Sequence, residues 1–69
     1  MDPEMIFDFV KHAGFLKKKD ILGHFSDHNK EIVTMQLTYL TDKKQLGHIQ
    51  YAVDDTHGDL YFVPYIRGT

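Results

Sequence analysis

The apolar residues of this chain change their spacing at Gly47, and this change divides the sequence into a helical part and a strand part. Before Gly47, apolar residues recur every three or four positions, as on one face of an α-helix. After it, Ile49, Tyr51 and Val53 alternate with other residues, which is the spacing of a half-buried strand. We therefore predict an α+β domain with its helices first and its strands last.

Three helical segments precede the change in spacing. They are predicted at about residues 3–13, 17–25 and 29–44. The first has the clearest ends, because Asp2 is typical of a helix N-cap and Gly14 of a helix C-cap. The cluster at residues 26–29 contains turn formers and separates the second helix from the third.

One apolar core is expected to hold these helices together. Its predicted members share matching helical spacing: Ile6, Phe9, Val10, Ile21, Leu22, Phe25, Val33, Leu37 and Leu40. Ile32 and Tyr39 are expected to widen the buried face of the third helix. This helix has the longest and most regular pattern of the three.

The residues after Gly47 predict a two-stranded β-hairpin at about residues 48–65. Asp54, Asp55 and Asp59 are expected to crowd its turn. A hairpin alone is marginal in water, so its apolar face should pack on the helices. The last strand carries large apolar groups on both faces: Tyr61, Phe62, Val63 and Tyr65. The face that the core does not use is a candidate homodimer or partner interface.

Composition narrows the class of protein. The 69 residues are expected to form a single domain over 1–69, with 42% hydrophobic and 26% charged residues, which argues against disorder. The absence of cysteine favours an intracellular location, cytoplasmic or nuclear. No apolar run approaches the length that spans a bilayer, so no membrane association is expected. The net charge of −2 counts against a nucleic-acid partner without excluding it.

We predict no cofactor, no metal site and no enzymatic activity. His24 and His28 are four residues apart, but Ser26 and Asp27 are expected to break a helix between them, and no further ligand is clustered there. The sequence has no glycine-rich phosphate loop and no nucleophile elbow. A chain this short also has little room for a pocket of about 300 Å³ or more.

One series of apolar residues resembles a known family. The series is Val33-x3-Leu37-x2-Leu40-x5-Leu46-x2-Ile49, which is similar to the third helix and first wing strand of winged-helix transcription regulators. The very small winged-helix proteins linked to ferrous-iron transport and to pilus operons resemble the chain in size. The resemblance implies a winged helix-turn-helix fold, with three helices followed by a two-stranded hairpin, or wing.

The chain departs from these relatives at three points. Lys44 stands about where a glycine is common near the end of the third helix, and Gly47 comes later. The cysteine cluster in the wing of many iron-transport members is missing, so no iron–sulfur role carries over. Val33 and Leu37 stand where the Z-DNA-binding relatives have an asparagine and a tyrosine, so that function is not supported.

The resemblance implies a transcriptional regulator whose third helix enters the major groove of double-stranded DNA. The residues expected to face base edges lie off the apolar stripe: His28, Asn29, Lys30, Thr34 and Thr38. The residues expected to meet phosphates are lysines: Lys17, Lys18, Lys19, Lys43 and Lys44. The same residues also suit the solvated face of an amphipathic helix, so both interpretations stay open.

A winged-helix module that binds protein is the alternative, with the acidic wing and the aromatic last strand as its contact surface. Crowded aspartates repel a polyanion but suit a basic partner. Charge placement separates the two hypotheses. Lysines that share a face with His28 and Thr34 favour DNA, whereas interruption of that face by Asp27, Glu31 and Asp42 favours protein.

Overall fold

A computed structural model describes residues 2–64 of the chain. Within this range the chain forms three helices and three strands: α1 (Pro3–Ala13), β1 (Phe15–Lys17), α2 (Lys18–His24), α3 (Lys30–Asp42), β2 (Gly47–Val53) and β3 (Thr56–Phe62). The strands form one antiparallel sheet in the order β1-β3-β2. The class is α+β, as predicted, but the sheet has three strands rather than two.

Helix α1 has the ends that the sequence predicts. The Asp2 carboxylate accepts a hydrogen bond from the Glu4 N–H at 3.2 Å and so caps the first turn. At the other end, Gly14 has φ of +89°, a left-handed conformation that only glycine adopts without a steric cost, and its N–H bonds to the Val10 carbonyl.

The other two helices are shorter than predicted. Lys17 belongs to β1, where it lies opposite Leu60, so α2 begins one residue later. Asn29 is the N-cap of α3 rather than a member of it, because its side chain accepts the Glu31 N–H at 2.7 Å. Helix α3 ends before Lys44, which has φ of +64°. Lys44 therefore occupies the left-handed position in which glycine is common.

The hairpin of β2 and β3 has a two-residue turn, Asp54–Asp55, between Val53 and Thr56. The predicted span of 48–65 is close to the observed one, although Tyr65 lies outside the described residues. Strand β3 is the centre of the sheet and pairs with β1 on its second side, which no pattern in the sequence predicted.

The core lies between the helices and one face of the sheet. Its buried residues come from α1, α2 and α3, from Phe25, and from the start and end of the hairpin: Ile6, Val10, Ile21, Phe25, Val33, Leu37, Leu40, Leu46 and Tyr61. Phe9 and Leu22, also predicted, are partly buried against this cluster. The expected common core is therefore confirmed, with Leu46 and Tyr61 added to it.

The face of the hairpin that meets the helices is the opposite of the one predicted. Tyr61, Leu16 and Val63 pack against the core, whereas Ile49 is 50% and Val53 is 61% exposed. Alternation identifies two faces of a strand but not the one that is buried. Here the buried face is the one that carries the large ring of Tyr61.

Candidate functional site

The residues expected to read bases extend from the turn before α3 to the third turn of the helix, and several of their polar groups already bond within the helix. The Thr34 hydroxyl donates to the Lys30 carbonyl at 2.9 Å, and the Thr38 hydroxyl donates to the Thr34 carbonyl at 3.2 Å. Asn29 uses its side-chain oxygen as the cap. Bidentate pairing with adenine needs both the oxygen and the nitrogen of an Asn side chain, so capping and base reading by Asn29 compete.

The exposed side of α3 mixes lysine with acidic residues. Lys30, Glu31 and Asp42 are all exposed, and Asp27 is exposed in the preceding turn. His28 is also exposed, with its ring centroid 6.1 Å from that of Phe25. Exposed carboxylates therefore accompany the exposed Lys30 on and next to α3.

Three consecutive lysines, Lys17–Lys19, form what we call the lysine cluster. They line an open groove of about 290 Å³ together with residues of α2 and the hairpin: Leu22, Tyr51, His57, Gly58 and Asp59. The Lys17 ammonium lies 5.8 Å from the centre of the Tyr51 ring, within the range of a cation–π contact. The cluster therefore lies beside the hairpin.

Lys43 and Lys44 lie at the opposite end of α3 from its N-cap. The Lys43 ammonium is 5.8 Å from the centre of the Tyr39 ring. Both lysines are exposed and lie a few residues before the start of β2. Lys43 and Lys44 therefore follow the C-terminal end of α3, as expected, and are separate in the sequence from the lysine cluster.

The acidic residues of the hairpin divide into two groups. Asp54 and Asp55 form the turn and are exposed, as predicted. Asp59 lies inside β3, where its Oδ1 is 2.8 Å from His48 Nε2. The hydrogen bond from His48 is the main cause that holds the pKa of Asp59 below its ordinary value. Desolvation, the next largest effect, opposes it, and the charges of His48 and Lys18 add to the lowering. The expected crowding of three aspartates is therefore wrong for Asp59.

Tyr61 joins this polar pair to the core. Its ring stacks on His48 with centroids 4.8 Å apart, and the side chain is 7% exposed. Burial, followed by the negative charge of Asp59, raises the pKa of the Tyr61 phenol. Tyr61 thus lies on the face of the last strand that the core uses.

Helix α3 exposes an apolar stripe that sequence reasoning missed. Ile32, Met35 and Tyr39 are 45%, 68% and 49% exposed, and their spacing of three and four residues places them along one side of the helix. Ile32 and Tyr39 were expected to widen the buried face, and this expectation is wrong. The signal was present in the sequence, because Met35 lies between them at helical spacing. We call these three residues the α3 stripe.

An open groove of about 470 Å³ lies next to the C-terminal end of the α3 stripe. Its walls come from the start of α1 and the end of α3: Asp2, Pro3, Glu4, Phe7, Tyr39, Leu40 and Gln45. Tyr39 belongs to both the stripe and the groove. Apolar side chains and two carboxylates thus meet at this end of the molecule.

The second apolar surface is the outer face of the sheet. Phe15, Ile49 and Val53 are its most exposed members, at 63%, 50% and 61%. The Phe62 ring covers Gly47 and the Tyr51 ring covers Gly58 so closely that a Cβ atom at either glycine would overlap the ring. Each of these two rings therefore packs directly over a glycine of the neighbouring strand.

No group of three or more His, Cys, Asp or Glu side chains within residues 2–64 is arranged to hold a metal ion. Over the same residues, none of the helices has the length and apolar character needed to cross a bilayer. No protein-family model matches the sequence, and no curated protein or solved structure is detectably similar to it.

Proposed function

We propose that this chain is a winged-helix domain and that it binds another protein through the α3 stripe. Two features support the winged-helix assignment: the order of the three helices and the hairpin that follows α3. The single observation that carries the function is the exposure of Ile32, Met35 and Tyr39 on the helix that a DNA-binding relative would use for base contacts. Apolar and aromatic side chains of this kind form the centre of protein interfaces.

The charges around the stripe define the chemistry of the partner. Glu31 and Asp42 lie on α3 beside it, and Asp2 and Glu4 line the groove at its C-terminal end. Lys43 is the basic group in contact with Tyr39. Four carboxylates near the α3 stripe suit a partner segment with an apolar face bordered by Lys or Arg, for example a basic amphipathic helix.

A second candidate function is the binding of double-stranded DNA, and the observation that favours it is the lysine cluster. Lys17–Lys19 line one groove and meet no acidic side chain within salt-bridge distance among the described residues. The acidic turn at Asp54–Asp55 and the capping role of Asn29 count against it. On this hypothesis, replacing all three lysines by Gln reduces the salt slope of binding by up to about three.

The protein-binding proposal is tested with a short amphipathic peptide of leucine and lysine, labelled for fluorescence anisotropy. The wild-type chain should bind it more tightly than a scrambled peptide of the same composition, because only the first peptide has an apolar face. Met35→Lys should weaken binding at least about tenfold, which corresponds to about 1.4 kcal/mol.

Val53→Lys is the matched control, since Val53 is about as exposed as Met35 but lies on the sheet. It should leave peptide binding unchanged. Equal loss in the two variants, or equal binding of the two peptides, would show that charge alone attracts the probe. Binding of a random-sequence duplex at about 50 mM salt, abolished by the lysine-to-glutamine change, would favour DNA instead.

A further inference from the structure

Strand β2 is a free edge of the sheet. The strand order is β1-β3-β2, and β2 pairs with β3 along all seven of its residues. Within the described part of the chain nothing pairs with its other side. Its backbone N–H and C=O groups on that side are therefore available to another strand.

The two edges of the sheet differ in protection. Strand β1 has three residues, ends at Lys17 and is followed by two more lysines, so it is too short and too basic to pair with another chain. Strand β2, Gly-His-Ile-Gln-Tyr-Ala-Val, contains no Asp, Glu, Lys, Arg or Pro. Its register with β3 is also continuous, without a bulge. Strand β2 therefore lacks charged side chains, proline and a β-bulge, the features that usually prevent edge strands from pairing.

We propose that β2 pairs with β2 of a second copy of this chain, antiparallel and about a two-fold axis, to form one six-stranded sheet. This inference concerns a different surface from the α3 stripe. If Gln50 lies at the axis, Ile49 of one copy lies opposite the partner's Tyr51 on the outer face. The exposed apolar side chains of the two copies then form one continuous surface, and aliphatic–aromatic pairs across strands are stabilising.

Charge complementarity identifies a second copy as the partner of this edge. Asp54 and Asp55 follow β2, whereas Lys43 and Lys44 precede it. Antiparallel pairing places the end of β2 that leads into the acidic turn beside the end of the partner's β2 that follows Lys43 and Lys44. The two-fold axis produces this arrangement at both ends of the paired strands. Strand β2 itself carries no carboxylate or ammonium group, so the copies meet without like charges at the centre.

The experiment measures mass against concentration by light scattering and sedimentation, up to about 200 µM chain. Wild type should reach the mass of two chains. Ile49→Lys should remain a monomer, because a charged residue on the outer face of the edge strand disfavours pairing. Ile32→Lys is the matched control, since Ile32 is 45% exposed on α3, and it should dimerise as wild type does.

Charge reversal supplies a second test. Asp55→Lys should weaken the dimer, and adding Lys43→Glu to it should restore the dimer, since the interaction is reciprocal between copies. The β2 amide protons that do not bond to β3 should exchange slowly with solvent in the dimer and rapidly on dilution.

A monomeric wild type at the highest concentration overturns the proposal. So does a dimer in which β2 exchange is unprotected, because the copies would then meet through another surface. The proposed function has a separate outcome, since Ile49→Lys should still bind the leucine–lysine peptide and Ile32→Lys should not.

Discussion

Truncation of Leu37 tests the packing from which every surface assignment follows. Leu37 is 0% exposed at the centre of α3, between Val33 and Leu40, which are also fully buried or nearly so. Leu37→Ala removes three carbons, worth about 0.8 kcal/mol each in transfer free energy, and leaves a cavity. The expected loss of unfolding free energy is about 2–5 kcal/mol. The total free energy of unfolding of a domain this small is only a few kcal/mol. A large fraction of the Leu37→Ala molecules should therefore be unfolded at room temperature.

Urea and thermal unfolding, followed by circular dichroism, measure this loss. Met35→Ala is the control, since Met35 is two residues away and 68% exposed, and it should change stability by less than about 0.5 kcal/mol. At about 4–8 °C per kcal/mol, Leu37→Ala should lower Tm by at least about 8 °C. Similar Tm values for the two variants would refute the assignment of buried and exposed sides of α3.

Three further predictions concern the backbone and the polar pair on the sheet. Gly14→Ala should lower stability by about 1 kcal/mol because of the positive φ, whereas Gly23→Ala, with open space around it in α2, should raise Tm. Lys44→Gly should raise the free energy of unfolding by about 1 kcal/mol in urea titrations, by relieving a left-handed lysine; a loss would contradict this. The pKa of Asp59 is held below its ordinary value of 3.8 by the bond from His48, so its contribution to stability is present above that pH and is lost as the pH falls through the lowered pKa. In Asp59→Asn, Tm should therefore decrease less steeply below about pH 4 than in wild type. An equally steep decrease in the two proteins would count against the His48–Asp59 hydrogen bond.

Local patterns predicted the helices well because each signal has a direct physical cause. Asp2 and Gly14 fix the ends of α1 through a side-chain hydrogen bond and a positive φ. The apolar spacing in α3 likewise identifies Leu37 as buried. Even the displaced glycine was informative, since Lys44 adopts the conformation that glycine would favour.

Long-range pairing could not be predicted in the same way. Strand β1 has three residues, which is too short for a periodic signal, and it is a strand only because β3 pairs with it. The alternation in β2 identified two faces, but the face that meets the core is the one shared with Tyr61 on the neighbouring strand. Ile32 and Tyr39 illustrate the same limit, because α3 buries only the side that meets the rest of the core.

The proposed protein-binding surface is the exposed side of α3. Amide chemical shifts of the ¹⁵N-labelled chain, recorded during separate titrations with the leucine–lysine peptide and with a random-sequence duplex, test it most directly. The peptide should shift the amides around Ile32, Met35 and Tyr39, whereas the duplex should shift few signals at physiological salt. Saturable shifts caused by the duplex at Lys17–Lys19 and the start of α3, with none caused by the peptide at the α3 stripe, would contradict it.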